Sequence, residues 1–386
     1  MKHHPIFIFL FIVLALYGGL NFYYIKRSAQ ALCGLGLQKT IIIAVLIAFS
    51  LSFLVGRFIE IYFRNWVTHV LIVAGSFYFG FLFYAVLATA IADIVRLCQY
   101  FLHFLPRGIV ENPYKFLHAL WFSLAGCIVA ALCVGYWINM HPRIKTYDLV
   151  VPKKSSKMSG ITIAAVSDIH FGTVFREPFL KKITLLVKQV NPDIILFLGD
   201  LFDEKVSDAQ RCQMTEFLKN LSCPLGVYAI IGNHDHFSGL QKVVQVLNEA
   251  NITLLQDSVV VVDGAFLLIG RKDLSVKRMG SARKSLHEIL VNAHRDLPLI
   301  LMDHQPFHLE EAQKNEIDLQ LSGHTHHGQL FPLNLLYRWI YEKSWGYLRK
   351  GKTQIIVSCG AGTWGPPMRT NSIPEVLQIR LKFVNE

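Results

Sequence analysis

The chain has 386 residues, of which 53% are hydrophobic and 17% are charged, against roughly 45–50% and about 25% in average soluble domains. It carries 38 Lys and Arg and 27 Asp and Glu, which gives a formal net charge of +11. This composition excludes a disordered chain, a collagen-like repeat and a small disulfide scaffold. Neither half has the strong basic excess of a nucleic-acid binder, so we expect no nucleic-acid partner.

The first part of the chain contains four long segments that lack Lys, Arg, Asp and Glu. A helix needs about 20 apolar residues to cross a bilayer. We therefore predict a transmembrane domain over residues 1–142, followed by a linker over 143–160 that is rich in Pro, Lys and Ser. The four predicted spans cover about 5–25, 40–58, 66–92 and 116–138.

The distribution of basic residues bears on the orientation of these spans. An even number of spans places the N-terminus and the second half of the chain on the same side of the membrane. Eight basic residues flank the membrane on that side and six on the other. Because cytoplasmic loops are enriched in Lys and Arg, the sequence favours a multi-pass cell-membrane protein whose second half is cytoplasmic.

From residue 161 onwards, short apolar or β-branched segments alternate with amphipathic ones. This alternation is typical of an α/β domain with a buried sheet. The predicted strands are 161–166, 194–198, 227–231, 265–269, 299–301, 319–321 and 355–357, and the predicted helices are 178–190, 207–220, 239–250, 281–292 and 307–315.

Polar residues follow five of the predicted strands. They are Asp168 and His170, Asp200 and Asp203, Asn233 to Asp235, Asp303 and His304, and His324 to His327. The carboxyl ends of strands in open α/β sheets form binding sites, so these side chains are expected to converge. Oxygen and imidazole donors without a thiolate suit Mn, Fe or Zn. Two such ions about 3.5–4 Å apart activate a hydroxide for attack on phosphorus.

The ordered motifs resemble those of the calcineurin-like metallophosphoesterases over about residues 160–383. The matching motifs are Asp168-x-His170, Gly199-Asp200-x-x-Asp203, Gly232-Asn233-His234-Asp235, His304 and Gly323-His324-x-His326. The resemblance implies that residues 161–386 form a catalytic double β-sheet sandwich flanked by helices, with two divalent metal ions whose identity is Mn, Fe or Zn.

The resemblance also implies a role for each matching residue. Asp168, His170 and His326 would hold one metal, Asn233, His304 and His324 would hold the other, and Asp200 would bridge them. His234 would act catalytically on the substrate phosphate or the leaving group, and Asp235 would orient His234.

The segments 319–326 and 360–369 resemble a membrane-attached branch of the same family, in which Gly usually occupies the position of His327. Cationic and aromatic residues elsewhere suggest contacts with substrate or membrane. They are Arg271 and Lys272 after the fourth predicted strand, and Arg338, Trp339, Trp345 and Arg349 downstream of the His-rich loop.

These observations predict an integral-membrane phosphohydrolase that cleaves a phosphodiester or pyrophosphate bond with a metal-activated hydroxide. Attachment to the bilayer raises the effective concentration near lipids, which favours a phosphorylated or nucleotide-linked lipid as substrate. The resemblance makes UDP-2,3-diacylglucosamine one candidate. Two alternatives stay open: a membrane sensor or scaffold that binds without turnover, and a transporter with a regulatory phosphoesterase-fold domain.

Overall fold

The computed structural model describes residues 4–153, 157–174 and 177–385. The chain divides into two compact units. The N-terminal unit extends to Gly135 and includes Gly365–Met368, and the second unit contains Tyr136–Trp364 and the residues from Arg369 onwards.

The N-terminal unit is helical. Its helices are α1 (His4–Ala31), α2 (Leu37–Glu60), α3 (Trp66–Leu102), α4 (Arg107–Glu111) and α5 (Pro113–Asn139), and the last turn of α5 belongs to the second unit. Within the described residues, three helices, α2, α3 and α5, are long and apolar enough to cross a membrane, in place of the four predicted spans. The first predicted span lies in α1, where several side chains fall outside the described part.

Close packing and polar contacts join the helices of this unit. Gly75 of α3 lies against α2, where a Cβ atom would clash with the backbone of Phe53. Small residues allow this close approach between apolar helices. Asp93 of α3 accepts hydrogen bonds from Tyr23 at 2.7 Å and from Arg27 Nε at 2.9 Å, both from α1. The acidic group in this apolar unit is therefore paired.

The second unit contains two six-stranded sheets. The strands are β1 (Arg143–Lys153), β2 (Gly160–Val166), β3 (Ile194–Phe197), β4 (Val227–Ala229), β5 (Thr253–Leu254), β6 (Ser258–Val262), β7 (Phe266–Gly270), β8 (Leu299–Met302), β9 (Leu319–Ser322), β10 (Gly346–Lys350), β11 (Thr353–Val357) and β12 (Glu375–Asn385). One sheet has the order β1-β12-β2-β3-β4-β5 and the other the order β10-β11-β9-β8-β7-β6. Strands β2 to β5 pair in parallel, as do β7, β8, β9 and β11.

Six further helices lie in the described part of the second unit. They are α6 (Glu177–Val190), α7 (Asp208–Lys219), α8 (Asn233–Glu249), α9 (Leu286–Leu290), α10 (Leu309–Lys314) and α11 (Leu333–Ile340), with 3-10 turns at Leu274–Met279 and His326–Gly328. A buried cluster that includes Ile163, Leu196, Ile300 and Leu321 draws residues from both sheets. Apolar side chains from the parallel strands of both sheets thus fill the space between the sheets, as predicted for a double sandwich.

The predicted linker is largely structured. Strand β1 occupies Arg143–Lys153 and pairs in parallel with β12 from Arg143↔Glu375 to Lys153↔Asn385. Residues 154–156 lie outside the described part. The sequence predicted a linker here because β1 contains several charged residues. Such residues are tolerated in β1 because it is an edge strand and is partly exposed to water.

Candidate metal centre

Five loops bring the predicted ligands together at the carboxyl ends of parallel strands. Asp168 and His170 follow β2, Asp200 follows β3, Asn233 begins α8 after β4, His304 follows β8, and His324 and His326 follow β9. Both sheets contribute, because the two sets of parallel strands end at this point. The prediction that these residues would converge agrees with the geometry described below.

The ligand loops have an unusual backbone conformation. Asp168, His170, Asp200, His324 and His326 all have φ between 47° and 71°. This left-handed conformation costs roughly 1–3 kcal/mol for a residue other than Gly and is concentrated at functional sites. The preceding glycines supply space: a Cβ atom on Gly323 would clash with Ser167, and one on Gly232 would clash with Asp200.

The first cluster contains Asp168, His170 and His326, which are all buried. The Nε2 atoms of His170 and His326 are 3.0 Å apart. Asp168 Oδ1 lies 3.9 Å from His170 Nε2 and 3.6 Å from His326 Nε2. The Ser167 hydroxyl donates to Oδ2 of Asp168, and the His324 backbone N–H is shared between Oδ2 at 3.0 Å and Oδ1 at 3.1 Å. These contacts fix the orientation of the carboxylate.

The second cluster contains Asp200, His304 and His324, with Asn233 beside them. His304 Nε2 lies 3.2 Å from Asp200 Oδ2 and 3.2 Å from Asn233 Oδ1. His304 Nδ1 lies 2.7 Å from the carbonyl oxygen of Leu198, to which an Nδ1–H group donates. That hydrogen bond selects the tautomer whose Nε2 lone pair is free to bind a metal.

Asp200 is within reach of both clusters. Its Oδ2 atom is 3.2 Å from His304 Nε2 and 3.8 Å from His170 Nε2. Its Oδ1 atom accepts the His234 backbone N–H at 2.8 Å, which fixes the carboxylate orientation. If ions occupied both clusters, Asp200 would be close to each of them.

The donor set fits divalent metal ions. In each cluster of three residues, one ligand atom from each residue lies within 4.8 Å of the others, a spacing that would let the three bind one ion together. Lone pairs of buried nitrogen and oxygen atoms face one another in both clusters, an arrangement that a cation stabilises. Oxygen and imidazole donors without sulfur suit Mn, Fe or Zn.

The electrostatics of the site keep Asp200, His324 and His326 in the form that binds metal. Burial opposes ionisation of Asp200, but the histidines around it, His304 foremost, hold its pKa below the usual range. Burial and the charge on His304 lower the pKa of His324 to about 4. Burial, followed by the charges of His170 and Arg369, lowers the pKa of His326 well below its usual value. His324 and His326 are therefore neutral at pH 7.

The pKa of His304 is shifted in the opposite direction to those of His324 and His326. Burial would lower its pKa, but the charge of Asp200 and their hydrogen bond raise it well above the usual value. A divalent ion and a proton compete for the same Nε2 atom, so metal binding at this position releases a proton.

The residue beside His234 differs from the expected one. His234 Nδ1 lies 3.2 Å from Oδ1 of Asp203, and the same oxygen lies 3.3 Å from His170 Nδ1. Asp235 was expected to orient His234, but its carboxylate accepts the backbone N–H groups of Asp200, Leu201, Phe202 and Gly232 at 2.8–3.1 Å. Asp235 thus fixes the loop that carries Asp200, and the carboxylate in contact with the His234 ring is that of Asp203.

His234 is partly exposed, with 23% of its side chain accessible. Burial lowers its pKa, but the hydrogen bond with Asp203 and the charges of Asp200 and Asp203 raise it to about 9. The ring centroid lies 5.9 Å from that of Trp364. A protonated, accessible imidazole in this position is suited to donate a proton to a leaving oxygen.

Arg369 was not among the predicted site residues, although it ends the 360–369 segment. It is fully buried, and its Nη2 atom lies 3.2 Å from His326 Nδ1. The guanidinium also donates to the carbonyl of Cys359 at 2.8 Å and to that of Gly362. It therefore ties the C-terminal loop to the ligand loop. The role of this Arg could not be predicted from the sequence, because the groups that accept its hydrogen bonds are mainly backbone carbonyls, which no residue type marks.

The residues expected to contact substrate or membrane fall into two groups. Arg271 is buried and paired with Glu311 and Asp303, so it holds the fold together. Trp345 is 36% accessible, donates to Glu375 at 3.1 Å and has its ring against His327. A buried charge requires a partner, which the sequence pattern alone did not reveal. The others lie nearer the surface: Lys272 is half-buried, and Arg338, Trp339 and Arg349 are exposed.

Comparison with known proteins identifies the family. The family model described as calcineurin-like phosphoesterase matches residues 161–328. A metallophosphoesterase of Aquifex aeolicus is 34% identical over 259 residues, which is 64% of this chain and 98% of that protein. One of Campylobacter jejuni is 28% identical over 384 residues, 97% of this chain and 98% of that one. A transmembrane protein with metallophosphoesterase domain of Danio rerio is 32% identical over 67% of this chain and 62% of its own length.

The chain therefore belongs to the calcineurin-like metallophosphoesterases and is a phosphoester hydrolase. Bound divalent ions would supply Lewis-acid activation of water and neutralise charge on the phosphoryl oxygens. The chain's own residues hold the two ligand clusters in place, exclude bulk water from the buried side and present His234 at the open side.

Proposed function

We propose that this membrane metallophosphoesterase cleaves a phosphodiester or pyrophosphate bond in a lipid-linked substrate at the bilayer surface. The observation that carries this proposal is the exposed apolar face of α11. Leu335, Leu336, Trp339 and Ile340 are all exposed, and Trp339 is 90% accessible. Positions 335, 336, 339 and 340 lie on one side of a helix.

An apolar face of this kind is unfavourable in water. Moving a Leu or Ile side chain fully out of water is favourable by roughly 1.5–3 kcal/mol. Trp is enriched in the interfacial layer of membranes. Arg338 lies in the same helix and is exposed, as a cation near lipid headgroups would be. The chain also carries three helices able to cross a membrane, so a bilayer is the natural partner for this face.

The same helix is connected to the metal centre. Tyr341, which follows α11, lies with its ring centroid 6.3 Å from that of His324 and 5.6 Å from that of Tyr337 within the helix. A substrate held by its acyl chains at α11 would therefore present its phosphate close to the ligands. UDP-2,3-diacylglucosamine, with a pyrophosphate and two acyl chains, is one candidate of this class.

The test compares matched substrates with the full-length protein in lipid nanodiscs. UDP-2,3-diacylglucosamine and UDP-N-acetylglucosamine share the pyrophosphate but differ in acyl chains, and a soluble chromogenic diester reports the chemistry alone. We expect Leu336→Ser combined with Trp339→Ser to lower the ratio of kcat/KM on the acylated over the soluble substrate by about tenfold or more.

Leu185→Ser supplies the matched control, because Leu185 is an exposed Leu on α6. It should leave this ratio at the wild-type value. Equal turnover of dispersed lipids and soluble diesters by the wild-type protein would overturn the lipid proposal. Metal-loaded protein without turnover of any ester would instead favour the sensor or scaffold alternative.

A further inference from the structure

A second cavity lies beside the loop that carries His304. It has a volume of about 260 Å³, and its charged lining residues are Arg271, Lys277, Arg283, Lys284, Glu288 and Glu311. Phe307 also lines it, and the Phe307 ring packs against Tyr341 with centroids 4.8 Å apart. Tyr341 in turn lies against His324, so the cavity and the metal centre are neighbours.

Two buried arginines form one wall of this cavity. The side chains of Arg271 and Arg283 are 7% and 3% accessible, and both donate to the same atom, Asp303 Oδ2, at 3.3 and 2.5 Å. Arg271 also donates to both oxygens of Glu311, at 2.8 and 3.3 Å. Asp303 immediately precedes the metal ligand His304.

The hydrogen-bonding capacity of these arginines is incompletely used. Among the residues that the structure describes, Nε and Nη1 of Arg283 and Nε of Arg271 are buried without a hydrogen-bond partner. An unsatisfied buried donor costs about 1–3 kcal/mol, more when it is charged. The carboxylate of Asp303 lies close to the arginines and to that of Asp273, and Asp303 Oδ1 is also buried without a hydrogen-bond partner among the described residues. The exposed Lys277 and Lys284 stand at the rim of the cavity. The unpaired guanidinium N–H groups and these two Lys residues are donors from which an anionic group would accept hydrogen bonds.

We propose that this cavity is a subsite for a second anionic group of the substrate, a phosphate in chemical class, next to the phosphoryl group held at the metal centre. Arg is the side chain best suited to phosphate oxygens, because its planar guanidinium offers several fixed donors. This inference rests on the phosphoester hydrolase activity of the chain and adds a specificity for substrates that carry two phosphates.

Two chromogenic esters test the subsite: thymidine 5′-(p-nitrophenyl phosphate) with and without a 3′-phosphate. Both are soluble, so the result is independent of the lipid proposal. We expect the wild-type protein to prefer the ester with the second phosphate by about tenfold in kcat/KM, and Lys277→Ala combined with Lys284→Ala to reduce that preference severalfold. Lys181→Ala, an exposed Lys on α6, should retain the wild-type preference.

Inorganic phosphate and chelator-treated protein provide a second measurement without turnover. Isothermal titration should detect phosphate binding by the wild-type protein and weaker binding by Arg283→Gln and by the double Lys variant. The Lys residues are exposed, so the double variant tests the subsite even if Arg283→Gln fails to fold. Phosphate binding without a kcat/KM advantage for the second phosphate would identify a site for free phosphate and overturn the proposal. The proposal is also overturned if the wild-type protein and the double Lys variant prefer the ester with the second phosphate to the same extent.

Discussion

Asp203 Oδ1 lies 3.2 Å from Nδ1 of His234 and 3.3 Å from Nδ1 of His170, so one carboxylate joins the accessible histidine to a predicted metal ligand. This contact holds the His234 ring toward the open side of the site. It also stabilises the protonated imidazole. Asp203 is therefore a positioning residue for His234, a role that the family resemblance had implied for Asp235.

Asp203→Asn should shift the alkaline limb of the pH–rate profile toward lower pH. The hydrogen bond and charge of Asp203 raise the pKa of His234 to about 9, so the proton is available below that pH and is lost above it. Bound cations act in the opposite direction, which makes the difference between variant and wild type the informative quantity. The measurement is kcat/KM against pH for a chromogenic diester with Mn²⁺ present.

The identity of the leaving group adds a control to this prediction. His234→Asn should reduce turnover by about 10²–10⁴ for a poor alkoxide leaving group, and much less for p-nitrophenolate, which departs without a proton. Asp208→Asn, at an exposed carboxylate, should change neither profile. An alkaline limb that stays in place in Asp203→Asn would contradict the assigned role.

Asp235→Asn should act on stability more than on the pH profile. The carboxylate accepts four backbone N–H groups, and hydrogen bonds to charged groups contribute about 1.5–3 kcal/mol each. The amide retains a single acceptor oxygen, so we expect a loss of about 3 kcal/mol or more in the free energy of unfolding, and Asp235→Ala should lose more. Thermal unfolding in detergent measures this, and a melting temperature equal to wild type would refute it.

Much of this arrangement could be predicted from sequence. All seven predicted strands of the second half are present, because each is a short β-branched or apolar segment. Strands β1 and β12 were not predicted. Arg143–Lys153 alternates charged and apolar residues over a segment with the composition of a linker, and its pairing with Glu375–Asn385 is a contact across the whole domain.

The exact partners within the site were harder to predict than its ligands. Metal ligands are marked by residue type and by their position after a strand. The different roles of Asp203 and Asp235 depend on where each carboxylate points once the loops after β3 and β4 have packed, and both are Asp residues close to a motif His. The burial of Arg271 was equally hard to predict, because the carboxylates that pair with it, Asp303 and Glu311, lie 32 and 40 positions away in the chain.

The number of metal ions bound by Asp200 and His304 variants should show whether Asp200 is shared by both clusters while His304 belongs to one. Asp200 lies 3.2 Å from His304 Nε2 and 3.8 Å from His170 Nε2, whereas the His304 ring belongs to one cluster only. We expect His304→Ala to lose one bound ion and keep the other, and Asp200→Asn to bind both weakly. Inductively coupled plasma mass spectrometry after Mn²⁺ loading and desalting gives the stoichiometry.

Thermal unfolding provides a readout of metal binding that does not need turnover. Adding Mn²⁺ to the chelator-treated wild-type protein should raise its melting temperature, because ligand binding to the native state alone stabilises it. The increase should be smaller in His304→Ala and smallest in Asp200→Asn. Equal metal content in the two variants would argue against a bridging position for Asp200.

Trp339 should report directly on contact between α11 and lipid. Brominated acyl chains quench Trp fluorescence only at close range, and the side chain of Trp339 is 90% accessible. In the full-length protein reconstituted with dibrominated phosphatidylcholine, Trp339→Phe should remove a distinct part of the quenching that the wild-type protein shows. The matched control is the same pair of proteins in unbrominated phosphatidylcholine, where Trp339→Phe should remove only the emission of one Trp. If the quenching is the same with and without Trp339, helix α11 does not enter the bilayer, and the route by which a lipid-linked substrate reaches His324 must lie elsewhere on the domain.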